Sequence, residues 1–252
     1  VMRDFNNDGF IDLIVAGTVH YIYLNNGDNS FTEVLNPFGN NQMESFALGD
    51  LNNDGYVDIY AGYAEIYNDP SNIEDALWMN NATSNNNYLS VNLEGTVSNR
   101  DGVGARIEIY GDWGIQVREV RSGESYGISN SLTSYFGVGT ATEVSHVIVK
   151  WPSGIVTVTD NPGVNQTIVI PEENCVSTPI DITYTGNPVF CEGGSFTMTA
   201  PAGMNYYWST GADAQEITVT EPGNYSVVVE NANGCFDLSD QITVVVNPDE
   251  TP

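Results

Sequence analysis

Residues 4–17 read DFNNDGFIDLIVAG and residues 50–62 read DLNNDGYVDIYAG, so one sequence unit occurs twice, 46 residues apart. Each copy precedes a similar short segment, Tyr23-Leu24-Asn25-Asn26 in the first case and Trp78-Met79-Asn80-Asn81 in the second. A period of this length is typical of one four-stranded blade of a β-propeller. Two blades cannot close a ring of four to eight. We therefore expect the chain to be the C-terminal part of a longer polypeptide, beginning at the first loop without the strand before it.

Both copies contain the pattern D-x-N-x-D-G-x-x-D, in which alternate polar residues place oxygen donors on one side of a tight turn. Glycine at position 6 permits the turn, and the carbonyl of position 7 is free to point inward. Oxygen-only donors suit a hard cation such as Ca²⁺. An Asx-rich turn explains a single copy equally well, but two full copies at blade spacing favour calcium. The predicted ligands of two Ca²⁺ sites are Asp4, Asn6, Asp8, Phe10 and Asp12, and Asp50, Asn52, Asp54, Tyr56 and Asp58.

The charge balance excludes several classes of function. The 252 residues include 33 Asp and Glu against 6 Lys and Arg, a formal net charge of −27. Phosphate contacts need a basic surface, so we expect no nucleic-acid partner and no affinity for anionic membranes. No apolar stretch reaches about 18 residues, so no transmembrane segment is predicted. Five of the six cations lie between residues 100 and 150, which indicates a middle module of different origin.

Strand patterns occur throughout the chain, whereas helical apolar periodicity is nearly absent. Clusters of Asn, Asp and Gly separate the strand patterns and predict turns. The sequence therefore predicts an all-β protein. The predicted strands include Ile11–Val15, Tyr21–Leu24, Tyr88–Leu93, Arg106–Tyr110, Val144–Trp151, Gln166–Ile170, Gln215–Thr220, Tyr225–Glu230 and Gln241–Val246.

The two loops, with Phe46-Ala47-Leu48-Gly49-Asp50 before the second, resemble FG-GAP/VCBS propeller repeats. The segment that follows resembles an ASPIC/UnbV domain, as in cartilage-acidic-protein-like propellers. Its motifs are Asn99-Arg100-Asp101-Gly102-Val103-Gly104-Ala105-Arg106, Arg118-Glu119-Val120-Arg121-Ser122-Gly123, Phe136-Gly137-Val138-Gly139 and Trp151-Pro152-Ser153-Gly154. The resemblance implies a secreted calcium-binding propeller with an appended β-domain. It does not imply an enzymatic reaction. We expect the arginines of this domain to pair with carboxylates or to dock it against the propeller.

A third module follows a linker and consists of short strands at regular spacing, which predicts an immunoglobulin-like sandwich. It resembles the Ig-like repeats of Bacteroidetes-type surface proteins. The predicted boundaries are 1–95 for propeller blades, 96–172 for the ASPIC/UnbV-like β-domain, 173–182 for the linker and 183–248 for the sandwich. Because Cys191 and Cys235 share this module, we predict a disulfide between them. Cys175 is then free or pairs outside this chain.

No catalytic constellation emerges from the sequence, so we predict that this region is not an enzyme. Only two histidines are present, and there is no zinc or phosphate-binding motif. Gly123-Glu124-Ser125-Tyr126-Gly127 matches G-x-S-x-G, but a nucleophile elbow needs a following helix in an α/β sheet. The segment after it has no helical periodicity. We therefore interpret this match as coincidental.

These observations predict a secreted or cell-surface calcium-binding protein that acts in adhesion or extracellular binding. Its partner would be an extracellular protein or glycan. Two alternatives remain open: an accessory glycan-binding portion of a secreted polysaccharide-processing protein, and the C-terminal part of an enzyme with an upstream catalytic domain. The Bacteroidetes resemblance further implies export by the type IX secretion machinery.

Overall fold

The computed structural model describes residues 1–17, 19–35, 37–63, 72–82, 84–124, 128–175 and 177–248. Within these ranges every regular element is a β-strand, which confirms the all-β prediction. The predicted strands agree with the observed ones to within two residues, except that Tyr225–Glu230 is divided at Ser226. No helix in the described part of the chain is long and apolar enough to cross a membrane.

The first sheet is an antiparallel meander in the order β1-β2-β3-β4. Its strands are β1 (Met2–Arg3), β2 (Asp12–Val15), β3 (Tyr21–Asn25) and β4 (Phe31–Leu35). The expectation that no strand precedes the first loop was wrong, because Met2 and Arg3 pair with Leu13 and Asp12. Asn26-Gly27 starts the turn between β3 and β4, where Gly27 has a φ of 77°.

The second sheet repeats this arrangement in the order β5-β6-β7. Its strands are β5 (Met43–Gly49), β6 (Asp58–Tyr63) and β7 (Ala76–Trp78). The facing sides of the two sheets share one core, in which Ile14 from β2 packs with Ile59 and Ala61 from β6. The opposite faces remain open, since Val15 is 41% exposed and Tyr60 is 50% exposed. The described strands do not close into a ring, so a propeller is not confirmed.

The middle domain packs a four-stranded sheet against a three-stranded one, in the orders β10-β9-β12-β13 and β11-β8-β14. Its strands are β8 (Asn87–Glu94), β9 (Arg106–Gly111), β10 (Gly114–Glu119), β11 (Ser134–Gly139), β12 (His146–Lys150), β13 (Val156–Asp160) and β14 (Gln166–Pro171). Fully buried Leu89, Ile107 and Phe136 lie between the sheets. Trp151 packs at the edge of this core and donates its indole N–H to the Thr157 hydroxyl at 2.9 Å.

The third domain consists of three three-stranded sheets around Phe196, Met198 and Trp208. Its strands are β15 (Thr183–Thr185), β16 (Val189–Cys191), β17 (Phe196–Thr199), β18 (Tyr206–Trp208), β19 (Glu216–Val219), β20 (Gly223–Tyr225), β21 (Val227–Glu230), β22 (Phe236–Leu238) and β23 (Ile242–Asn247). A separate apolar cluster joins it to the middle domain. In that cluster Tyr207 and Val228 pack on Tyr110 and Ile148.

The predicted Cys191–Cys235 disulfide is wrong, because Cys235 is bonded to Cys175 and Cys191 is free and exposed. Ser177 and Thr178, which belong to the segment predicted as a linker, lie alongside β22. The Thr178 N–H donates to the carboxylate of Asp237 at 2.7 Å. This pairing brings Cys175 next to Cys235, with their Cα atoms 5.5 Å apart. Cys191 ends β16, whose register pairs it with Asn247.

Candidate metal-binding loops

The two predicted loops have the same hydrogen-bonded geometry. Asp4 Oδ2 accepts the Gly9 N–H at 2.8 Å, as Asp50 Oδ2 accepts that of Gly55 at 2.9 Å. The carboxylate of position 5 accepts the N–H of position 7 in both loops, at 2.8 and 2.9 Å. The amide of position 3 donates to that carboxylate at 2.8 Å in both loops. Each loop therefore folds its first, third and fifth residues around one small space, as the motif predicts.

Two residues of each loop hold conformations that few side chains tolerate. Asn7 and Asn53 both have a φ of 59°, in the left-handed region that asparagine enters more readily than most residues. Gly9 and Gly55 follow with φ values of 96° and 87°. The repeated asparagine and glycine are therefore requirements of the loop backbone, independent of any ligand.

The last aspartate of each loop makes different contacts from the first three polar residues. Asp12 accepts the N–H groups of Phe5 and Asn25 at 2.9 and 2.8 Å. Asp58 accepts those of Leu51 and Asn80 at 2.8 Å each. Both carboxylates are essentially buried and join their loop to the next hairpin.

Because of this arrangement, the described residues hold no group of three or more Asp, Glu, His or Cys side chains that could bind a metal ion. Each loop instead gathers two carboxylates and one amide oxygen, with the backbone of Phe10 or Tyr56 beside them. Ligation by Asp12 and Asp58 stays a prediction. A carboxylate has about four lone-pair positions, so each keeps capacity beyond its two backbone bonds.

The first loop is electrostatically unsatisfied. Asp4 is only 4% exposed, and its Oδ1 atom has no hydrogen-bond partner. Burial, together with the carboxylates of Asp8 and Asp12, raises the pKa of Asp4 to about 7. The N–H of Gly9 and the nearby Arg118 guanidinium act in the opposite direction. A buried carboxylate oxygen without a donor is costly, and a bound cation would relieve that cost.

The middle domain covers the first loop. The Gly139 N–H donates to the Asn7 carbonyl at 2.9 Å, across the boundary between the first sheet and this domain. A Cβ atom on Gly137 would lie 2.1 Å from Asp4 Oδ2, so only glycine permits this approach. The Arg118 guanidinium lies 4.9 Å from the centre of the Phe136 ring and lowers the pKa of Asp4. The sequence of the loop does not predict that the middle domain packs over it.

The second loop is more open. Its Asp54 is exposed, and so are Asn52 and Asn53. It contacts the middle domain at Asp50, whose N–H donates to the Tyr135 hydroxyl at 3.1 Å, and at Gly55, against which the Tyr88 ring lies. The two loops also touch, since Asn7 Nδ2 donates to the Gly55 carbonyl at 3.1 Å. The loops and the middle domain therefore form one continuous contact region.

Two arginines of the middle domain form ion pairs with neighbouring carboxylates. Arg106 and Arg121 pair with Glu108 and Glu119, as expected for a very acidic protein. An ion pair between Arg3 and Glu124 joins the first sheet to the middle domain. Of the G-x-S-x-G match, Ser125 to Gly127 lie outside the described residues. His20 is buried and its Nε2 lies 2.7 Å from the Asn41 carbonyl.

A buried carboxylate that sequence reasoning missed lies at the end of β14. Glu172 Oε2 accepts three consecutive N–H groups, from Thr96, Val97 and Ser98, at 2.9, 2.8 and 2.6 Å. Its Oε1 accepts the hydroxyls of Ser98 and Ser153 at 2.8 and 2.5 Å. Burial opposes ionisation, but these hydrogen bonds outweigh it and lower the pKa of Glu172 to about 2. The carboxylate thus fastens the loop after β8 to the last strand of the domain.

Two segments of the chain match known protein families. Residues 4–61 match the family model for an FG-GAP-like repeat, and residues 95–177 match the model described as ASPIC and UnbV. The resemblance of these two segments to FG-GAP repeats and to an ASPIC/UnbV domain is confirmed. The resemblance to VCBS repeats and that of the third module to Ig-like repeats stay predictions. No curated protein matches the chain.

Among solved structures, the chain is similar to Bacteroides ovatus mixed-linkage glucan utilization locus SGBP-B in complex with a mixed-linkage heptasaccharide. The identity is 13% and the TM-score 0.17, over 94% of this chain and 64% of the other. The chain thus spans less than two thirds of that protein. A likeness of this extent carries no conclusion about what this chain binds.

Proposed function

We propose that the chain is part of a secreted or cell-surface calcium-binding protein that acts in adhesion or extracellular binding, without catalysis in this region. The observation that carries the calcium proposal is the unpartnered Oδ1 of Asp4, enclosed in a loop whose hydrogen bonds recur in the second copy. Asp4, Asn6 and Asp8 would hold one ion, and Asp50, Asn52 and Asp54 the other. Calcium would supply the positive charge that residues 4–99, without Lys or Arg, do not provide.

The cover over the first loop gives this calcium a structural role. Because Gly137 and Gly139 contact Asp4 and Asn7, an ion held there would stabilise the boundary between the first sheet and the middle domain. The second ion would lie in the more exposed loop. We therefore expect the first site to exchange its ion more slowly than the second.

The finer architecture is also a proposal. The open faces around Val15 and Tyr60 are where further blades of a propeller would pack, and the 46-residue repeat supports that arrangement.

Thermal unfolding in calcium and in chelator tests the metal proposal. Asp8→Ala and Asp54→Ala should each lower the melting temperature in calcium and have a smaller effect in chelator. The matched control is Asp28→Ala, because Asp28 Oδ1 accepts the N–H two residues ahead at 3.1 Å in an ordinary turn. Asp8 and Asp54 make the same turn bond. The difference in melting temperature between the loop variants and this control gives the contribution of the bound metal.

An unchanged wild-type melting temperature on chelation would contradict calcium binding. Equal effects of Asp8→Ala and Asp28→Ala in calcium would contradict it as well. For the partner, a glycan array against the intact protein separates glycan binding from protein-mediated adhesion. Recognition of one glycan class would favour the accessory role in polysaccharide processing.

A further inference from the structure

Among the residues that the structure describes, no strand pairs with the outer edge of the second sheet. β3 and β7 occupy equivalent places in the repeat, since Tyr23 pairs with Leu13 and Trp78 pairs with Ile59. On its other side β3 pairs with β4 through five residue pairs. Among the described residues, β7 pairs only with β6. An edge of this kind presents N–H and C=O groups to which another extended chain can add.

An apolar groove lies beside this free edge. It has a volume of about 470 Å³ and runs between the two sheets. Ile22, Leu24 and Val34 line it from the first sheet, and Trp78 and Met79 line it from the second. Val34 is 37% exposed and Met79 is 43% exposed, so the groove is open to solvent. A cleft of this size and composition is suited to apolar side chains.

The register of the second sheet shows which side chains of an added strand would enter the groove. Side chains of directly opposite residues lie on the same face of a sheet. Trp78 faces the groove, so a residue opposite Trp78 in an added strand would do so too, and so would the residue two positions away, opposite Ala76. Residues between them would lie on the outer face beside Leu77. The groove therefore selects a strand with apolar residues at alternate positions.

The negative charge around the groove favours an added strand that carries positively charged residues at its ends. Residues 4–99 contain no Lys or Arg, and the exposed Glu74 and Asp75 directly precede β7. We propose that β7 and the adjoining groove bind an extended peptide of a partner protein, with alternate apolar residues and flanking lysines or arginines. The peptide adds as the outer strand of the second sheet, as β4 does in the first. This proposal is independent of calcium binding.

The probe is a fluorescein-labelled peptide, KSFTVVLK, which copies residues 30–35 with Glu33→Val between two lysines. Its counterpart ESFTVVLE differs only in the charge of its ends. Fluorescence anisotropy measures binding to the protein in calcium, and hydrogen exchange follows the amides of residues 76–79. We expect the lysine peptide to bind at least about tenfold more tightly at low salt. We also expect it to slow exchange at β7.

Substitutions in the groove test whether the peptide binds there. Val34→Glu and, independently, Met79→Glu should weaken binding about tenfold, because each buries a charge against apolar side chains. Val15→Glu is the matched control, since Val15 is similarly exposed on the opposite face of the first sheet. Equal binding by Val34→Glu, Met79→Glu and Val15→Glu overturns the proposal. Protection, before any peptide is added, of the β7 amides that point away from β6 also overturns it, because the outer edge would then already be paired.

Discussion

Replacing Glu172 by glutamine tests whether one buried carboxylate holds the middle domain closed. Glutamine keeps the shape of the side chain, and its amide oxygen can still face the N–H groups of residues 96–98. The hydroxyls of Ser98 and Ser153 can rotate to accept from the new NH₂ group. The substitution therefore removes the charge while leaving most hydrogen bonds in place.

The expected loss of folding stability follows from the pKa of Glu172. The fall from 4.5 to about 2 favours the folded state whenever the carboxylate is ionised. Each pH unit is worth about 1.4 kcal/mol, so the charge contributes about 3 kcal/mol at neutral pH. Because the folded pKa is the lower one, this stability is complete above pH 4.5 and is lost as the pH falls towards 2. Glu172→Gln should therefore cost about 3 kcal/mol at pH 7 and little at pH 2.

Urea unfolding of the middle domain, followed in chelator at pH 7 and at pH 2.5, measures this difference without a contribution from metal. The matched control is Glu173→Gln, the neighbouring residue, whose side chain is exposed. A surface change of this kind should stay within about 0.5 kcal/mol. A Glu172→Gln deficit that is as large at pH 2.5 as at pH 7 would refute the charge argument. So would equal stabilities of the two variants at pH 7.

Three further predictions concern contacts between and within domains. His146 stacks on Tyr110 at 4.4 Å and meets Tyr207 at 5.1 Å, and burial lowers its pKa although Asp160 and Glu108 oppose this. Stability present above pH 6.5 should therefore fall as the pH drops through the folded pKa, and His146→Phe should remove this component of a pH series of unfolding curves. Cys175→Ser should cost about 4 kcal/mol by chain entropy, whereas Cys191→Ser should leave the urea midpoint unchanged; the reverse order would contradict the observed pairing. Gly137→Ala should destabilise by about 1–3 kcal/mol in thermal unfolding, because its Cβ would meet Asp4 and Asn7, while Gly17→Ala, which meets nothing closer than 4.0 Å, should be nearly neutral.

Local patterns were the reliable part of the sequence reading. Alternating apolar residues located the strands, and the repeated Asn and Gly of the loops corresponded to backbone positions of positive φ. The cysteine pairing was the clear failure. Membership of one module favoured Cys191, but proximity depends on which strands become neighbours. Residues 177–178 lie along β22 and carry Cys175 to Cys235, a contact 60 residues apart that no local pattern records.

The sequence by itself determined that this protein is all-β, that two loops share one oxygen-rich design, and that a more basic middle module follows an acidic pair of sheets. These properties depend on residue periodicity and on backbone preferences that act over a few neighbours. The tertiary structure alone decided that Gly137 and Arg118 cover Asp4, that Glu172 closes a loop 74 residues earlier, and that Tyr207 docks against Tyr110. Such contacts depend on how the sheets pack once their apolar faces are buried. The local sequence around each of these residues does not indicate which distant residue it will contact.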